Sequence, residues 1–320
     1  MKYLITGGAG FIGIKLIEKL IKKKENKIYI IDNLSKKTDN ENLLNLLKNK
    51  NIDLIKKDLN LINDYLKIYN FDYIYHFAAV LGVKKVISNP FITLKENILS
   101  TINLINFAKK QKKLKKICFT STSEVYAYTL KKKLAKYPTP EDIDFLISKD
   151  FNPRSSYLLS KIVGEYLMSY SKLDYIIFRP HNIFGPNMGF EHVIPQLTKK
   201  ILKNKKKKIT IYNSKHKRTF CDIEFAIELI FNISHKKKLT NKIFNIGSPE
   251  KDISIIELAQ KIKKIINSKN QIVSSSLQKD SSPEKRRPNM KRSIGYSTIN
   301  HNFEKALKET VLWYKDYYKK

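Results

Sequence analysis

Arginine is scarce in this chain of 320 residues. Only six of its 62 basic residues are arginines (Arg154, Arg179, Arg218, Arg286, Arg287 and Arg292), against 29 acidic residues and a formal net charge of +33. Guanidinium forks are the usual readers of phosphates and base edges, so a charge carried almost wholly by lysine argues against a nucleic-acid partner. Lysine, isoleucine and asparagine are abundant together throughout, the pattern an AT-rich coding bias leaves. The lysine runs at 22–24, 131–133, 205–208 and 236–238 read as solvated cationic edges at helix ends and in loops. Cysteine is almost missing as well, and Cys118 and Cys221 are too few and too far apart for a disulfide framework or a zinc site. No apolar run approaches the roughly 18 to 20 residues of a membrane span. The opening MKYLITGGAGFIG lacks the apolar stretch and small-residue cleavage site of a secretory signal. A cytoplasmic protein with no membrane partner is expected.

What the chain does contain is 42% hydrophobic residues spread along its length in short periodic runs, which excludes a wholly disordered or fibrous chain. Strand KYLIT (2–6) ends in glycines and is followed by a helical pattern through Phe11, Ile12, Leu16, Ile17 and Leu20. Strand 27–32, helical Leu43, Leu44, Leu46 and Leu47, strand 52–58, helix 60–69, strand 72–78, helix 90–111 and strand 115–121 continue the alternation. A loop over 127–152 leads to helix 153–171 and strand 175–180. Strands separated by helices imply parallel pairing with right-handed crossovers, hence a doubly wound, Rossmann-type α/β sheet. Beyond residue 181 the alternation loosens into helices 193–203, 222–234, 254–266 and 303–318 with strands 209–212 and 242–246. The expected organisation is a dinucleotide-binding domain over 1–180 carrying the catalytic residues and a smaller mixed α/β substrate lobe over 181–320. The chain is expected to cross between the lobes, with a cleft between them at the carboxyl ends of the strands.

Two constellations carry chemistry. Thr6-Gly7-Gly8-Ala9-Gly10-Phe11-Ile12-Gly13 places glycines between strand and helix, where they permit a tight turn, a close approach of backbone to a pyrophosphate, and close helix-strand packing. Asp32, ending the second strand, is placed to accept hydrogen bonds from ribose hydroxyls and to repel a 2′-phosphate, which selects NAD over NADP. Tyr157-Leu158-Leu159-Ser160-Lys161 puts Tyr157 and Lys161 on one helix face, so that the ammonium can lower the phenol's pKa toward neutrality. A Tyr and a Lys at this spacing mean little in a chain with 18 Tyr and many Lys; following the fifth strand and Ser121-Thr122-Ser123-Glu124-Val125-Tyr126, they read as an acid/base pair. The six histidines show no metal spacing, and no metal is expected.

Taken with TGGAGFIG (6–13), DNLS (32–35), Asp58-Leu59, HFAA (76–79), Asn97, STSEVY (121–126), YLLSK (157–161) and RPHNIFGP (179–186), the sequence resembles the extended short-chain dehydrogenase/reductase family of nucleotide-sugar epimerases, dehydratases and decarboxylases over nearly its whole length. The resemblance implies NAD as cofactor, held by Gly7, Gly10, Phe11, Ile12, Gly13, Asp32, Asn33, Asp58, Leu59, Phe77, Ala78, Ala79, Asn97, Tyr157 and Lys161. It implies Thr122, Tyr157 and Lys161 as catalytic residues. It places the nucleotide sugar against Glu124, Asn182, His192 and Val193, with Arg218 and either Arg286 or its neighbour Arg287 clamping the diphosphate. Four features depart from the family pattern: Ala127 in place of a glycine, the segment TLKKKLAKYPTPED (129–142), His192 in place of an asparagine, and Phe225 in place of an aspartate. They bear on the substrate and not on the catalytic trio.

The shared first step implied by the resemblance is oxidation of a sugar C4 hydroxyl, Tyr157 taking the proton as hydride leaves for NAD. A 4,6-dehydratase of the family carries Asp then Glu after the catalytic Thr, whereas this chain has Ser123 then Glu124, which disfavours dehydration. A uronate decarboxylase keeps the Thr-Ser-Glu pattern. An epimerase needs only that the keto sugar turn over and take the hydride back on its other face, and the run 179–195 resembles epimerase-type members most. The expectation is a UDP-hexose 4-epimerase, with UDP-glucuronate decarboxylase as the alternative. The rival from another class is a non-catalytic RNA- or NAD-binding member of the fold. Helices 90–111 and 153–171 carry apolar residues beyond one face, and the family pairs these helices across a two-fold axis, so a homodimer is expected.

Overall fold

The computed structural model describes residues 1–35, 41–61, 70–204, 208–275 and 283–319. The expected helix 60–69 beyond residue 61, and residues 205–207 of one lysine run, lie outside the described residues. In chain order the elements begin β1 (Lys2–Thr6), α1 (Phe11–Leu20), β2 (Lys27–Asp32), α2 (Glu41–Leu47), β3 (Ile52–Lys56), β4 (Tyr73–His76), α3 (Val83–Ser88), α4 (Pro90–Lys109) and β5 (Lys116–Thr120). They continue with α5 (Ala127–Lys131), α6 (Ser155–Ser169), β6 (Tyr175–Pro180), β7 (Ile183–Phe184), α7 (Val193–Lys203), β8 (Lys208–Ile211), β9 (Lys217–Arg218), β10 (Cys221–Asp222) and α8 (Ile223–His235). The last are β11 (Lys242–Ile246), β12 (Ile253–Ser254), α9 (Ile255–Ile266), β13 (Gln271–Ser274), β14 (Lys285–Arg286) and α10 (Phe303–Lys319).

The chain divides into two compact units, and each draws segments from both halves of the sequence. The first comprises Met1–Val125, Ser148–Pro180 and Leu229–Phe244; the second comprises Tyr126–Ile147, His181–Glu228 and Asn245–Lys320. The first unit is built on a seven-stranded parallel sheet of order β11-β6-β5-β4-β1-β2-β3. Its central strands are apolar on both faces, as a sheet covered by helices on both sides requires. Leu4, Ile31, Phe71, Ile74, Leu104, Ile117, Phe119 and Ile177 form one buried cluster within it. Parallel pairing sets every strand's carboxyl end on the same edge, so Thr6 pairs with Ile31 and with His76 there.

Strand β11 differs from the expectation, which assigned 242–246 to the smaller lobe. It forms the edge of the large sheet beside β6, and its approach is fixed where Asn241 donates its N–H to the Tyr175 carbonyl while its side-chain oxygen accepts the Tyr175 N–H. The expected loop over 127–152 contains the short helix α5.

In the second unit α7, α9 and α10 pack on one another, beside the three-stranded sheet β12-β9-β14 and two two-stranded pairs. Helix α9 starts on a full capping box, Ser254 accepting from the Glu257 N–H while Glu257 accepts from the Ser254 N–H. The departing segment 126–147 is built into this unit through the fully buried Asn245. The Asn245 N–H donates to Glu141, its amide donates to the Thr139 and Asn289 carbonyls, and its oxygen accepts from Tyr126.

Candidate active site

The glycine turn occupies the carboxyl end of β1. Gly7 has φ +67, and a Cβ there would stand 2.6 Å from the Ala78 backbone nitrogen. A Cβ on Gly13 would stand 2.6 Å from the Gly8 Cα, so both positions require glycine and the turn closes tightly, with the Gly10 N–H donating to the Gly7 carbonyl. Phe11 and Ile12 open α1, and Gly10 ahead of them supplies no side-chain cap, so the first backbone N–H groups of that helix face the turn.

Asp32 stands beside the turn: one carboxylate oxygen accepts the Ala9 N–H at 3.1 Å and the other the Leu34 N–H at 2.9 Å. The exposed Asn33 donates to Asp58 at 3.1 Å, and Leu59 is buried beside it. Phe77 and Ala78 follow β4, their N–H groups donating to the backbone and hydroxyl oxygens of Thr6, and Ala79 is half-buried next to them. Asn97 is buried on α4; it accepts the Val80 N–H and donates to the Val80 carbonyl and the Ser160 hydroxyl, so it fixes the loop after β4 to α6. A backbone cradle that any Cβ would fill, a helix N-terminus for a pyrophosphate and an acidic residue at the end of the second strand together fit a dinucleotide.

Thr122 follows β5 and Tyr157 lies on α6, with the Thr122 hydroxyl favouring the ionised form of the Tyr157 phenol. Lys161, one turn on, is 4% exposed; its ammonium donates to the Thr120 carbonyl at 2.8 Å and lies 5.9 Å from the centre of the Tyr157 ring. The acidity of the phenol runs against the expectation. Burial of the hydroxyl and the nearby Glu124 carboxylate push the Tyr157 pKa well up, and the Thr122 hydrogen bond opposes them only in part. The protein's own groups therefore hold Tyr157 protonated at neutral pH. Lys161 is itself depressed to about 8 by burial, with Glu165 pulling it back up.

A support that the sequence reading missed lies beneath these residues. Glu165 and Arg179, 5% and 2% exposed, form a two-pronged ion pair: Nε to Oε1 at 2.9 Å and Nη2 to Oε2 at 2.6 Å. Ser121 donates to the same carboxylate at 2.5 Å. This locks the end of β5 to α6 and so sets where Thr122 meets Tyr157. The available signals were an arginine inside an apolar strand and a glutamate four residues after Lys161 on its helix face. Near the phenol, Arg154 stands 3.7 Å from Glu124, both partly exposed.

The other substrate candidates lie in the second unit. Asn182, at φ 43, donates its amide to the Thr219 carbonyl. His192 is exposed at the start of α7 and Val193 is that helix's first residue. Arg218 and Arg286 sit side by side in register on the parallel pair β9 and β14, while Arg287 donates to the Pro249 carbonyl. Among the described residues no His/Cys/Asp/Glu group could hold a metal, and no helix is long and apolar enough to cross a membrane.

Residues 3–247 match the NAD dependent epimerase/dehydratase family. A UDP-N-acetyl-α-D-glucosaminuronate decarboxylase of Bacillus cytotoxicus is 31% identical over 98% of this chain and 97% of its own. A dTDP-D-glucose 4,6-dehydratase of Dictyostelium discoideum is 33% identical over 82% of this chain and 61% of its own. The solved UDP-N-acetylglucosamine 4-epimerase of Methanobrevibacter ruminantium superposes with a TM-score of 0.83 at 25% identity, covering 99% of this chain and 98% of that one. Glycine cradle, acidic strand end and Thr-Tyr-Lys constellation agree with that match: the chain belongs to the NAD dependent epimerase/dehydratase family, whose members are nucleotide-sugar epimerases, decarboxylases and dehydratases.

Proposed function

We propose that the chain is a UDP-hexose 4-epimerase. The observation that carries this reading is Lys161, buried one turn along α6 with its ammonium 5.9 Å from the Tyr157 ring centre and bonded to the Thr120 carbonyl two residues before Thr122, in the same unit as the glycine cradle. Gly7, Gly10, Phe11, Ile12, Gly13, Asp32, Asn33, Asp58, Leu59, Phe77, Ala78, Ala79 and Asn97 would hold NAD, which would supply a hydride acceptor and then a donor. With the nicotinamide's positive charge beside it, added to that of Lys161, Tyr157 would ionise, and its phenolate would take the proton of the C4 hydroxyl and later return it, Thr122 holding the same oxygen. Lys161 donates to the Thr120 carbonyl and places a positive charge beside the Tyr157 ring. Glu124 in the first unit is the candidate for the sugar, and in the second unit Asn182, His192 and Val193 are candidates for the nucleotide sugar and Arg218 and Arg286, at paired positions of neighbouring strands, for the diphosphate. Positioning of the hydroxyl against Tyr157 is the larger part of the rate.

Ser123 stands directly after Thr122 where an acid would expel a C6 hydroxyl, which disfavours dehydration. A second reading, uronate decarboxylation, is favoured by Arg154 beside Glu124, where a cation can receive a C6 carboxylate, and by the decarboxylase among the relatives. The two outcomes separate in one experiment: protein loaded with NAD is given UDP-glucose, UDP-galactose and UDP-glucuronate, and products and carbon dioxide are followed. Interconversion of the hexoses supports the epimerase; carbon dioxide release from the uronate with no hexose interconversion replaces it with the decarboxylase.

A homodimer through α4 and α6 belongs to the same proposal. These helices pack on each other and leave Phe91, Tyr166 and Tyr170 exposed by 72%, 53% and 75%. Light scattering showing a monomer at micromolar concentration would remove the dimer. A cytoplasmic location belongs to the same proposal.

A further inference from the structure

The lysines are not spread evenly over the first unit. Among the described residues, five complete connections enter the sheet at the amino ends of its strands, each running from a helix to the next strand; of the one into β4 residues 70–72 are described, with Asp72 and no lysine. Residues 21–26 hold three lysines, 48–51 two, 110–115 four, 170–174 one and 236–241 three. That is thirteen exposed lysines in 27 residues, against two acids, Glu25 and Asp174. The connections leaving the carboxyl ends of β1 to β5, over 7–10, 33–35, 57–58, 77–82 and 121–122, hold one lysine, Lys57, in seventeen described residues. Lys36 and Lys37 lie outside the described residues.

A compositional background would load both edges alike. The helix macrodipole favours a cation in a last turn and fades beyond it, which does not account for runs of three and four in the connections themselves. Of the thirteen, Lys115 pairs with Asp72 at 2.7 Å. The sheet from β11 to β3 spans six strand spacings, about 29 Å, so this is a broad face.

We infer that this lysine-lined amino-end edge docks the protein on anionic lipid membranes, with the carboxyl ends that carry the glycine turn and Thr122 directed away from the bilayer. The five connections contain no arginine and a single aromatic residue, Tyr170, so they offer neither guanidinium forks for base edges nor a row of stacking rings for single strands. Compact ammonium groups on a wide face suit diffuse attraction to phosphatidylserine-type headgroups, where each lysine near the surface is worth roughly fivefold in partitioning.

The test uses the full chain in co-sedimentation with vesicles of phosphatidylcholine alone, or with about a third phosphatidylserine. Binding to the anionic vesicles only, lost between about 0.05 and about 0.5 M salt, is expected. A variant with Lys22, Lys23, Lys24, Lys236, Lys237 and Lys238 all changed to Gln should partition at least about a hundredfold more weakly while still melting like wild type and binding NAD. Should that variant misfold, Lys112→Gln with Lys113→Gln should weaken partitioning about twentyfold. Changing Lys131, Lys132 and Lys133 to Gln in the second unit should leave it within about twofold. No binding at low salt, equal binding to neutral vesicles, an equal loss from the 131–133 variant, or tighter binding of duplex RNA or DNA than of anionic vesicles at about 0.15 M salt would each overturn the inference.

Discussion

Glu165→Gln removes one charge and almost no volume, and the structure states what that charge does. Arg179 is 2% exposed and sends two hydrogen bonds into the Glu165 carboxylate, so the variant leaves a buried guanidinium without its anion. Breaking one side of a buried pair costs about 3–5 kcal/mol, which in a unit of this size lowers Tm by roughly 6–20 °C. The same carboxylate raises the pKa of Lys161, which burial otherwise lowers and which stands at about 8. Without Glu165 that value falls further, and Lys161 loses its proton at a lower pH than in the wild type. Thermal unfolding reads the first effect. The pH dependence of turnover reads the second, its basic-limb dependence on Lys161 moving to lower pH. Replacing both partners with apolar residues, Glu165→Leu with Arg179→Met, should recover most of the stability and none of the pH profile. A Glu165→Gln protein that melts within about two degrees of wild type would refute the reasoning, because a buried cation would then have lost its partner at no cost.

Three further outcomes follow from the geometry. Gly13→Ala should abolish NAD binding, since the new Cβ meets the backbone of Gly7 and Gly8 within 2.8 Å; calorimetric titration with NAD checks this. His76 is buried, bonded to Thr6 and Thr101, and depressed to about 3 by burial and Lys161, so the unfolded chain binds its proton first as pH falls. Stability should therefore drop by about 3 kcal/mol between pH 6.5 and about 4, a loss that urea titrations should show shrinking in His76→Gln. Lys161 titrates near 8 when folded and near 10.5 when unfolded, so the unfolded chain again binds more protons between those values. The stability of the wild type relative to Lys161→Met should rise as pH passes from 8 toward 10.5.

The alternation of strands and helices was legible because each element of the large sheet carries its own period or apolar run. The glycine turn and the Tyr157-Lys161 spacing were legible because their geometry is local to a few residues. What escaped was set by tertiary pairing. Strand β11 reads the same whether it closes the large sheet or sits in the smaller lobe; Asn241 against Tyr175 decides it. Two-residue strands such as β9 and β14 are too short to show a period, although they bring Arg218 and Arg286 into register. Helix spacing shows the ammonium beside Tyr157 but not the burial that raises the phenol's pKa, which only the fold reveals. The lysine runs looked like unrelated solvated edges until parallel topology gathered those that precede strands onto one side of the sheet.

The most direct test of the account is the turnover of Tyr157→Phe on UDP-glucose, UDP-galactose and UDP-glucuronate, with NAD content measured on the same preparation. Removing an acid/base hydroxyl at the reacting oxygen should lower kcat by about 10²–10⁴ while NAD stays bound. Wild-type turnover in that variant on the substrate the wild type accepts would contradict the assignment of Tyr157 and the mechanism built on it.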